Sequence, residues 1–425
     1  MRFILFFIIF SSHILAGDLL TARGAVETAL EKNPEYLRSK LNVDIARFQK
    51  WEATSNMFPT FSAGITQIRN DKAILFPIDS TTSATIQPLN MGQFSFDASV
   101  PLYTGGALRS AQKIASTSYD ISGLMLNENR ENIKLKVLRA YYNVIKMDGI
   151  LSISLAAGEL VNENVKMVNR MFDLGMMQKR DILRAKVSSS EIRQQIQQAE
   201  QGLRLSNISL NLVLGESFEK NYELEKDIPS PILKQNLDEL MQYAMSNRPA
   251  LVSARKGIDA AEYGVKAAKG FYMPNVAAVW HWQQDTEASL MGSDQSWRAI
   301  LNVSYELPFG SPKVARLESA KAMVRQSKYS EMEAENGIRL EIEANYLQYQ
   351  LMENTLALAD EQVGAAKENY EAVVSGMELG ESSQIELIDA RNTLFNSQIN
   401  QINIKIDHYL SYQQLLVSCG YPVDL

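Results

Sequence analysis

Two histidines hold most of the catalytic potential of this 425-residue chain, because the third, His13, lies in an apolar N-terminal run. His281 and His408 are in different segments, and no His-Glu-x-x-His pair occurs. Cys419 is the only cysteine, so the sequence offers neither a disulfide nor a cysteine pair for a metal. Thr104-Gly105-Gly106 lacks the lysine and the spacing of a phosphate-binding loop, and a turn from strand to helix explains it better. These residues predict no enzymatic activity and no cofactor.

Methionines are the other group with potential metal chemistry. Four of the seventeen cluster in one stretch: Met167, Met171, Met176 and Met177. Thioethers bind soft metals, but methionine also fills irregular cores and makes adaptable docking surfaces. We favour packing and docking over a metal site for this cluster.

Two carboxylates near the C-terminus share one face of a predicted helix. Glu386 and Asp389 are three residues apart, a spacing that places side chains on the same face. Ser383-Gln-Ile-Glu386 is also a capping-box pattern, so Glu386 has either a capping role or a role in binding ions. Asp389 lies a turn deeper, where capping does not explain it.

The element that organises the chain is a strand followed by a very long helix. From residue 93 to 102 apolar and polar residues alternate, which predicts a strand with two different faces. Phe94, Phe96, Val100 and Leu102 are expected to face lipid, and Gln93, Ser95, Asp97 and Ser99 to face water. No proline occurs between Pro101 and Pro229, and a helical stripe follows the strand, so residues 106–171 predict one helix of about 100 Å. The stripe comprises Ile133, Val137, Tyr141, Val144, Leu151 and Leu155.

The second half of the sequence repeats the first. Ala29-Leu-Glu-Lys-Asn-Pro34 recurs 215 residues later as Ala244-Met-Ser-Asn-Arg-Pro249, and Leu174-Gly175 recurs 205 residues later as Leu379-Gly380. This internal duplication predicts a first repeat at residues 17–215, a linker at 216–235 and a second repeat at 236–425. Each repeat is expected to run helix, strand, strand, long helix, helix. Stripes are predicted on the helix from residue 34 to about 57 (Leu37, Leu41, Ile45, Phe48) and on that from about 180 to 214 (Ile192, Ile196, Ala199, Leu203, Leu210, Leu214).

The predicted strands cover residues 59–69, 93–102, 274–284 and 297–308, and residues 70–90 are expected to form a polar loop. A proline marks the helix-side end of each strand: Pro59, Pro101, Pro274 and Pro308. Proline is tolerated at strand ends and stops helices, so we interpret the four as punctuation at equivalent joints.

The N-terminus predicts export. Arg2, the apolar run from Phe3 to Phe10 and the small residue Ala16 are typical of a signal peptide at residues 1–16. An uncleaved anchor is the alternative, but the run is shorter than the ~20 residues that span a bilayer. Loss of Arg2 removes one positive charge and takes the formal net charge from −7 to −8, which argues against nucleic acid as a partner.

No other run is apolar enough for a membrane helix, so membrane insertion would use strands. Four strands of about 11 residues could cross a bilayer but could not close a barrel, so several chains must share one barrel. Two chains would supply eight strands, and three would supply twelve around a passage. Trp280, Trp282, Trp297 and Tyr305 are expected near the strand ends, where aromatic residues meet the membrane interface.

With these landmarks, the sequence resembles the TolC-like outer-membrane efflux protein family over essentially the whole mature chain. The marks are the duplicated Ala-Leu-x-x-Asn-Pro type start, Pro101-Leu-Tyr-x-Gly-Gly106, and the turn Gly380-Glu-Ser-Ser-Gln-Ile-Glu-Leu-Ile-Asp-Ala390. The resemblance implies a mixed α/β membrane protein. In this architecture a homotrimer has a 12-stranded barrel in the lipid of the outer membrane, four strands per chain, continued by an α-helical coiled-coil barrel in the periplasm. The implied partners are a periplasmic adaptor (membrane fusion) protein and an inner-membrane RND or ABC transporter.

The resemblance also assigns the two turns after the long helices to the periplasmic tip. It implies a pore constriction at Asp181, Glu386 and Asp389, and adaptor docking at Leu174, Gly175, Leu379 and Gly380. Some members carry a basic residue where this chain has Ser382, so their closing ion pair does not carry over. Lys179 and Arg180 are candidates to replace it.

The function predicted from the sequence is therefore an outer-membrane exit duct of a tripartite efflux pump or type I secretion system. Its cargo would be small molecules or proteins. Two alternatives stay open. A stand-alone diffusion porin would lack a tip that is closed at rest, and a periplasmic coiled-coil scaffold would be absent from the outer membrane.

Overall fold

A computed structural model describes residues 19–79, 81, 83–286, 295–307, 312–379 and 381–424. The predicted signal peptide, Pro308 and Gly380 lie outside these residues. The protein is a mixed α/β protein that is mostly helical. Its described helices are α1 (Ala22–Lys32), α2 (Pro34–Ser55), α3 (Ala107–Asp173), α4 (Lys179–Leu214), α5 (Leu237–Asn247), α6 (Pro249–Gly270), α7 (Lys313–Leu379) and α8 (Gln384–Cys419). Its described strands are β1 (Leu19–Leu20), β2 (Thr60–Arg69), β3 (Ile74–Pro77), β4 (Ser83–Gln87), β5 (Asn90–Tyr103), β6 (Glu223–Leu224), β7 (Asn275–Asp285) and β8 (Gln295–Ser304).

Helix lengths recur between the two halves. The α1 and α5 helices have 11 residues each, α2 and α6 have 22, α3 and α7 have 67, and α4 and α8 have 36. Neither long helix contains a proline, which would remove a hydrogen bond and kink it. Within the described part of the chain, no helix combines the length and the apolar character needed to cross a membrane.

The chain divides into two compact units. The helical unit comprises residues up to Ser39, Asn127–Arg248 and residues from Asn336 onward, and the sheet unit comprises Lys40–Leu126 and Pro249–Glu335. Each of the long helices α3 and α7 contributes to both units.

One core cluster of the helical unit lies between α3, α4 and α8. Ala157 and Val161 of α3 pack there with Ile192 of α4 and Phe395 of α8. The α4 stripe is confirmed, since Ile192, Ala199, Leu210 and Leu214 are buried.

The α3 stripe is correct only along its first half. Ile133, Val137, Tyr141 and Val144 are buried, but Leu155 is exposed and Ala157, Val161 and Val168 take its place. The buried face therefore moves around the helix. The reason is tertiary, because the residues of α4 and α8 that cover this part of α3 pack against Ala157 and Val161.

The stripe predicted on α2 lies on one side of the helix, but the described residues do not cover it. Leu41, Ile45, Phe48 and Trp51 are between 53% and 67% exposed. A contiguous apolar face of this kind is typical of a protein–protein contact.

The sheet unit contains a four-stranded antiparallel sheet in the order β2-β5-β7-β8. The pairing aligns one mainly apolar and one mainly polar face, with Gln284 and Gln295 interrupting the first and Val279 and Ile300 the second. The apolar face comprises Phe61, Ala63, Ile65, Phe94, Phe96, Ala98, Trp280, Trp282, Trp297, Ala299 and Leu301. The polar face includes Ser62, Thr66, Gln93, Ser95, Asp97, His281, Gln283, Asp285, Ser296 and Arg298. The alternation predicted for β5 is confirmed as far as Val100.

All four strands meet their helices at one end of the sheet. The α2 helix precedes β2 and α6 precedes β7, whereas α3 follows β5 and α7 follows β8. Since the strands are antiparallel, Thr60 pairs with Ser99, Val276 with Tyr103 and Asn275 with Ser304, all at this end.

Several details of the strands differ from the predictions. Residues 70–90 are not simply a loop, because β3 and β4 form a hairpin there. Pro101 is not at the end of its strand but inside β5, where the register shifts so that Tyr103 lies opposite Val276. Leu102 therefore falls in the irregularity and does not extend the apolar row. Trp280 lies in the middle of β7, opposite Ala98 and Ala299, rather than near its end.

The strand β8 ends at Ser304, four residues before the predicted end. The apolar and polar alternation continues through Tyr305, Glu306 and Leu307 although pairing stops at Ser304, so the sequence pattern overestimated the strand.

Candidate functional site

The first predicted tip turn joins α3 to α4 and contains Leu174 and Gly175. Gly175 has φ +75°, and the amides of Gly175 and Met176 donate to the carbonyls of Phe172 and Met171 at 2.9 Å each. This bonding pattern is a Schellman motif, and its left-handed residue is usually glycine. Leu174 projects from the turn and is 75% exposed.

Asp181 closes the start of α4. Its Oδ2 accepts a hydrogen bond from the backbone amide of Gln178 at 3.1 Å, the reciprocal half of a capping box. Its Oδ1 lies 3.8 Å from Nη1 of Arg184 and 3.9 Å from Nε of Arg180. Arg180, a candidate for a closing ion pair, therefore lies beside an acid of its own turn. The sequence analysis missed this cap, although a polar residue three positions before an acid was its signal.

The second predicted tip turn joins α7 to α8. Leu379 is as exposed as Leu174, at 74%, and Gly380 lies outside the described residues. The amides of Glu381 and Ser382 both donate to the carbonyl of Gly376, at 2.8 and 3.1 Å. The turn thus folds back onto the end of α7.

The capping box predicted around Glu386 is present. The amide of Ser383 donates to Oε2 of Glu386 at 2.7 Å, and the amide of Glu386 donates to Oγ of Ser383 at 3.4 Å. Asp389 differs, because its side chain is exposed and the described residues provide it with no hydrogen bond or ion pair. Of the three predicted constriction residues, two therefore have a local structural role and Asp389 has none.

The two turns are brought together by the packing of α8 on α4. Arg391, which the sequence analysis did not consider, is buried there, and its Nη1 donates to Oγ of Ser188 at 2.6 Å. Its Nη2 donates to Oδ1 of Asn392, also at 2.6 Å. Burial lowers the pKa of Arg391, and the nearby Glu191 opposes this effect. The sequence contains a sign of this burial, because Arg391 lies on the same helix face as Leu387 and Leu394, where an apolar core residue is expected.

The proline joints are only partly equivalent. Pro59 directly precedes β2 and Pro274 directly precedes β7, as predicted. The joint at Pro101 is followed by Gly105, which has φ +62°. A Cβ on Gly105 would lie 2.2 Å from the carbonyl oxygen of Gly270. This close approach of two backbones explains why the Thr-Gly-Gly sequence is glycine-rich. The fourth joint, Pro308, is outside the described residues.

Among the described residues, no three histidine, cysteine or carboxylate side chains are arranged to hold a metal ion. His281 lies in β7, and His408 is buried in α8.

Comparison with known proteins gives one family match. The family model described as outer membrane efflux protein matches residues 25–216 and 240–420. These two segments fall within the two halves described above.

Individual relatives have low sequence identity to this chain, but the alignments cover most of both proteins. The outer membrane efflux protein BepC of Brucella suis is 21% identical over 321 residues, covering 75% of this chain and 70% of that protein. The outer membrane protein TolC of Escherichia coli is 21% identical over 430 residues, covering 93% of this chain and 83% of TolC. A crystal structure of CusC superposes with a TM-score of 0.82 at 16% identity, covering 94% of this chain and 92% of that one, so the fold is shared.

Proposed function

The chain belongs to the outer membrane efflux protein family, and we propose that it is the outer-membrane exit duct of a tripartite efflux pump or type I secretion system. It is an outer-membrane protein, and its family is one of export channels and not of enzymes. The duct would export small molecules or proteins across the periplasm and outer membrane without reacting with them.

The observation that carries this proposal is the four-stranded sheet with one apolar face and two open edges. Phe94, Phe96 and Trp282 project from the same face, which suits contact with lipid, whereas the other face carries amide, hydroxyl and charged groups. The edge strands β2 and β8 have unpaired backbone groups, which cannot be left open in a bilayer. Pairing β8 of one copy with β2 of the next satisfies both edges.

We therefore propose a homotrimer with a 12-stranded barrel continued by an α-helical coiled-coil barrel. In this arrangement the two halves are duplicated repeats, divided as the sequence predicts. Because each strand is joined to one helix at the same end, the order α2, α3, α6, α7 follows the sheet order, and α7 of one copy would lie next to α2 of its neighbour. The uncovered apolar side of α2 supports this contact.

Cross-linking tests the arrangement directly. Ile45 lies ten residues before the end of α2 and Met323 ten residues after the start of α7, so both are about 15 Å from the sheet ends of their helices. Both side chains are exposed, and the single native cysteine, Cys419, is buried. Ile45→Cys with Met323→Cys and a short bismaleimide should give covalent trimers from the outer membrane.

Each single-cysteine variant is the matched control and should remain monomeric on a denaturing gel, because the contact joins two different faces. A double variant that elutes as a trimer but forms no cross-link would reject the α2–α7 contact. A protein that is monomeric in detergent would reject the trimer itself.

The helical unit supplies the periplasmic tunnel in this proposal, and the two turns form its tip. Leu174 and Leu379 are exposed apolar residues flanking glycines, which suits docking of a periplasmic adaptor (membrane fusion) protein. An inner-membrane RND or ABC transporter would drive export through that adaptor. Asp389, with Asp181 and Glu386, is proposed to surround the pore at the tip.

The duct is tested by planar-bilayer recording of the purified protein and by pull-down with a purified periplasmic adaptor protein. We expect single channels that are largely closed alone and adaptor binding that is lost when Leu174 and Leu379 are both changed to Asp. Channels that are fully open without an adaptor would favour the stand-alone porin.

A further inference from the structure

The polar face of the sheet contains a row of charged side chains that crosses the strands. Asp97 of β5 pairs with His281 of β7, and His281 pairs with Arg298 of β8. Ser62 of β2 completes the row opposite Asp97. Three titratable or charged groups thus lie side by side at one level of the sheet.

Hydrogen bonds link this row to a second level of the same face. His281 Nδ1 lies 2.6 Å from Asp97 Oδ1, and His281 Nε2 lies 3.3 Å from Gln283 Oε1. Gln283 Nε2 donates to both oxygens of Asp285, at 2.9 and 3.0 Å, and Gln93 Nε2 donates to Asp285 Oδ1 at 3.3 Å. The two ring nitrogens of the imidazole are therefore held between a carboxylate and an amide, and the ring has a defined orientation.

The charge of this face depends on a single histidine. Within the described residues of the four strands, the groups on the polar face that carry or can carry charge are Asp97, Asp285, His281 and Arg298. Two carboxylates against one guanidinium leave one net negative charge when His281 is neutral, and protonation of His281 cancels it. Asp97 and His281 are both partly exposed, so ions and protons can reach them.

We propose that Asp97, His281 and Arg298 form a selectivity row in the lumen of the barrel, which favours cations when His281 is neutral and loses this preference when His281 is protonated. The proposal rests on the exit duct proposed above, in which the polar face lines the passage. Three copies would change the lumen by three charges. Histidine is the side chain that changes charge between about pH 5 and 8, whereas arginine stays protonated throughout.

A purely structural role for the row is the competing explanation, because the same contacts tie β5 to β7. The two explanations differ in one measurable respect. A structural clamp does not change ion selectivity with pH, whereas a lumenal charge does. The screening length over which such a charge acts on ions grows to about 30 Å at 0.01 M salt.

The test is the reversal potential of single channels in a dilute KCl gradient, with pH 8 or 5.5 only in the chamber facing the loop end of the sheet. The parent should lose roughly sevenfold in its K⁺ over Cl⁻ permeability ratio on acidification, because a change of about one kT in local potential lowers K⁺ partitioning and raises Cl⁻ partitioning by about 2.7-fold each. His281→Gln keeps a hydrogen-bonding side chain but cannot gain a proton, and its ratio should be the same at both pH values. Arg298→Gln should be more cation-selective than the parent at pH 8 and should keep its pH response.

Ser95→Asn is the matched control, since it changes an uncharged residue of the same face and should behave like the parent. If His281→Gln shows the parental shift, or if the conducting parent shows no shift, the selectivity row is wrong while the duct stands. A parent that elutes as a trimer but never conducts, even with a periplasmic adaptor present, would instead overturn the duct.

Discussion

Asn33 and Arg248 occupy the same position in the two halves, immediately before the proline that begins α2 or α6, yet they stabilise that joint in different ways. Asn33 Nδ2 donates to the carbonyl of Val213 at 2.7 Å, and its Oδ1 accepts from the amides of Glu35 and Tyr36. All of these partners are neutral backbone groups. The first joint is therefore stabilised by the uncharged side chain of Asn33, which needs no counter-charge.

Arg248 makes the equivalent bond to the carbonyl of Val417 but brings a buried charge with it. Its Nη2 lies 3.2 Å from Oε1 of Glu128 on α3 and 3.4 Å from Oε2 of Glu341 on α7. Burial raises the pKa of Glu128, and the charge of Arg248 opposes that shift. The second joint thus depends on both long helices, and it is the more vulnerable of the two.

The largest effect is expected from Arg248→Met. The change leaves the half-buried Glu128 without its counter-charge, which should cost about 2–3 kcal/mol, because breaking a fully buried pair costs about 3–5 kcal/mol and Glu128 is partly solvated. The free energy of unfolding of the detergent-solubilised protein, followed by circular dichroism in urea, measures it. Arg248→Met combined with Glu128→Leu should recover most of the loss, and a double variant no better than the single one would contradict the role of the ion pair.

Asn33→Ala should cost less, about 1–2 kcal/mol, because it removes hydrogen bonds but leaves no buried charge. The same urea titration is the measurement. Arg248→Asn gives the second joint the residue type that the first joint has at Asn33, and its unfolding free energy is compared with that of Asn33→Ala. If Asn33→Ala costs more than Arg248→Met, the ranking of the two joints is wrong.

The halves also differ at His408 of α8, which corresponds to Leu203 of α4. Burial lowers the pKa of His408, with Glu353 opposing. The folded state therefore favours the neutral ring, and its contribution to stability is present above the ordinary pKa of histidine and is lost as the pH falls below it. His408→Leu should flatten the dependence of unfolding free energy on pH between about 7 and 5.

The control for this experiment is His281→Gln, which changes the other described histidine. It should leave the part of the slope due to His408 in place. An unchanged slope in His408→Leu would show that acid acts on stability elsewhere.

The smallest stability effects are expected at the tip, where Asp389 of the second turn corresponds to Arg184 of the first. Asp389→Asn should change stability by less than about 0.5 kcal/mol, because the residue is an exposed surface position. Channel recordings should nevertheless show weaker cation selectivity and weaker block by multivalent cations. Recordings identical to the parent would reject a carboxylate ring at Asp389.

Glu386→Gln separates the two interpretations of Glu386. Glutamine preserves a capping box with Ser383, so stability should stay within a few tenths of a kcal/mol, while the negative charge is lost. Changed selectivity in the intact trimer would add a pore role to the cap, and unchanged selectivity would leave Glu386 as a cap alone. Glu386→Ala is the control for the cap itself and should cost about 1 kcal/mol.

The long helices and the faces of the strands could be read from the sequence because both are local properties. A proline-free tract with an apolar stripe predicts a helix over residues 106–171, and its observed end, Asp173, differs from that prediction by only two residues. Alternation along β5 predicts two faces whatever the strand packs against. The capping box at Ser383 is similarly local, since its two partners are three residues apart.

What the sequence could not show depends on residues distant in the chain. The move of the buried face of α3 from Leu155 to Ala157 is decided by Ile192 and Phe395, which pack against it. Arg391 is buried because Ser188, 203 residues away, lies beside it.

By itself, then, the sequence determined the elements, their repeat and their apolar and polar sides, because these follow from spacing within a few residues. Only the tertiary structure decided which side chains meet. Asp97 and His281 are unremarkable residues in two separate strands until the antiparallel register places them opposite each other, 2.6 Å apart. Pairing energy depends on contacts between distant segments, and one sequence read along its length does not contain those distances.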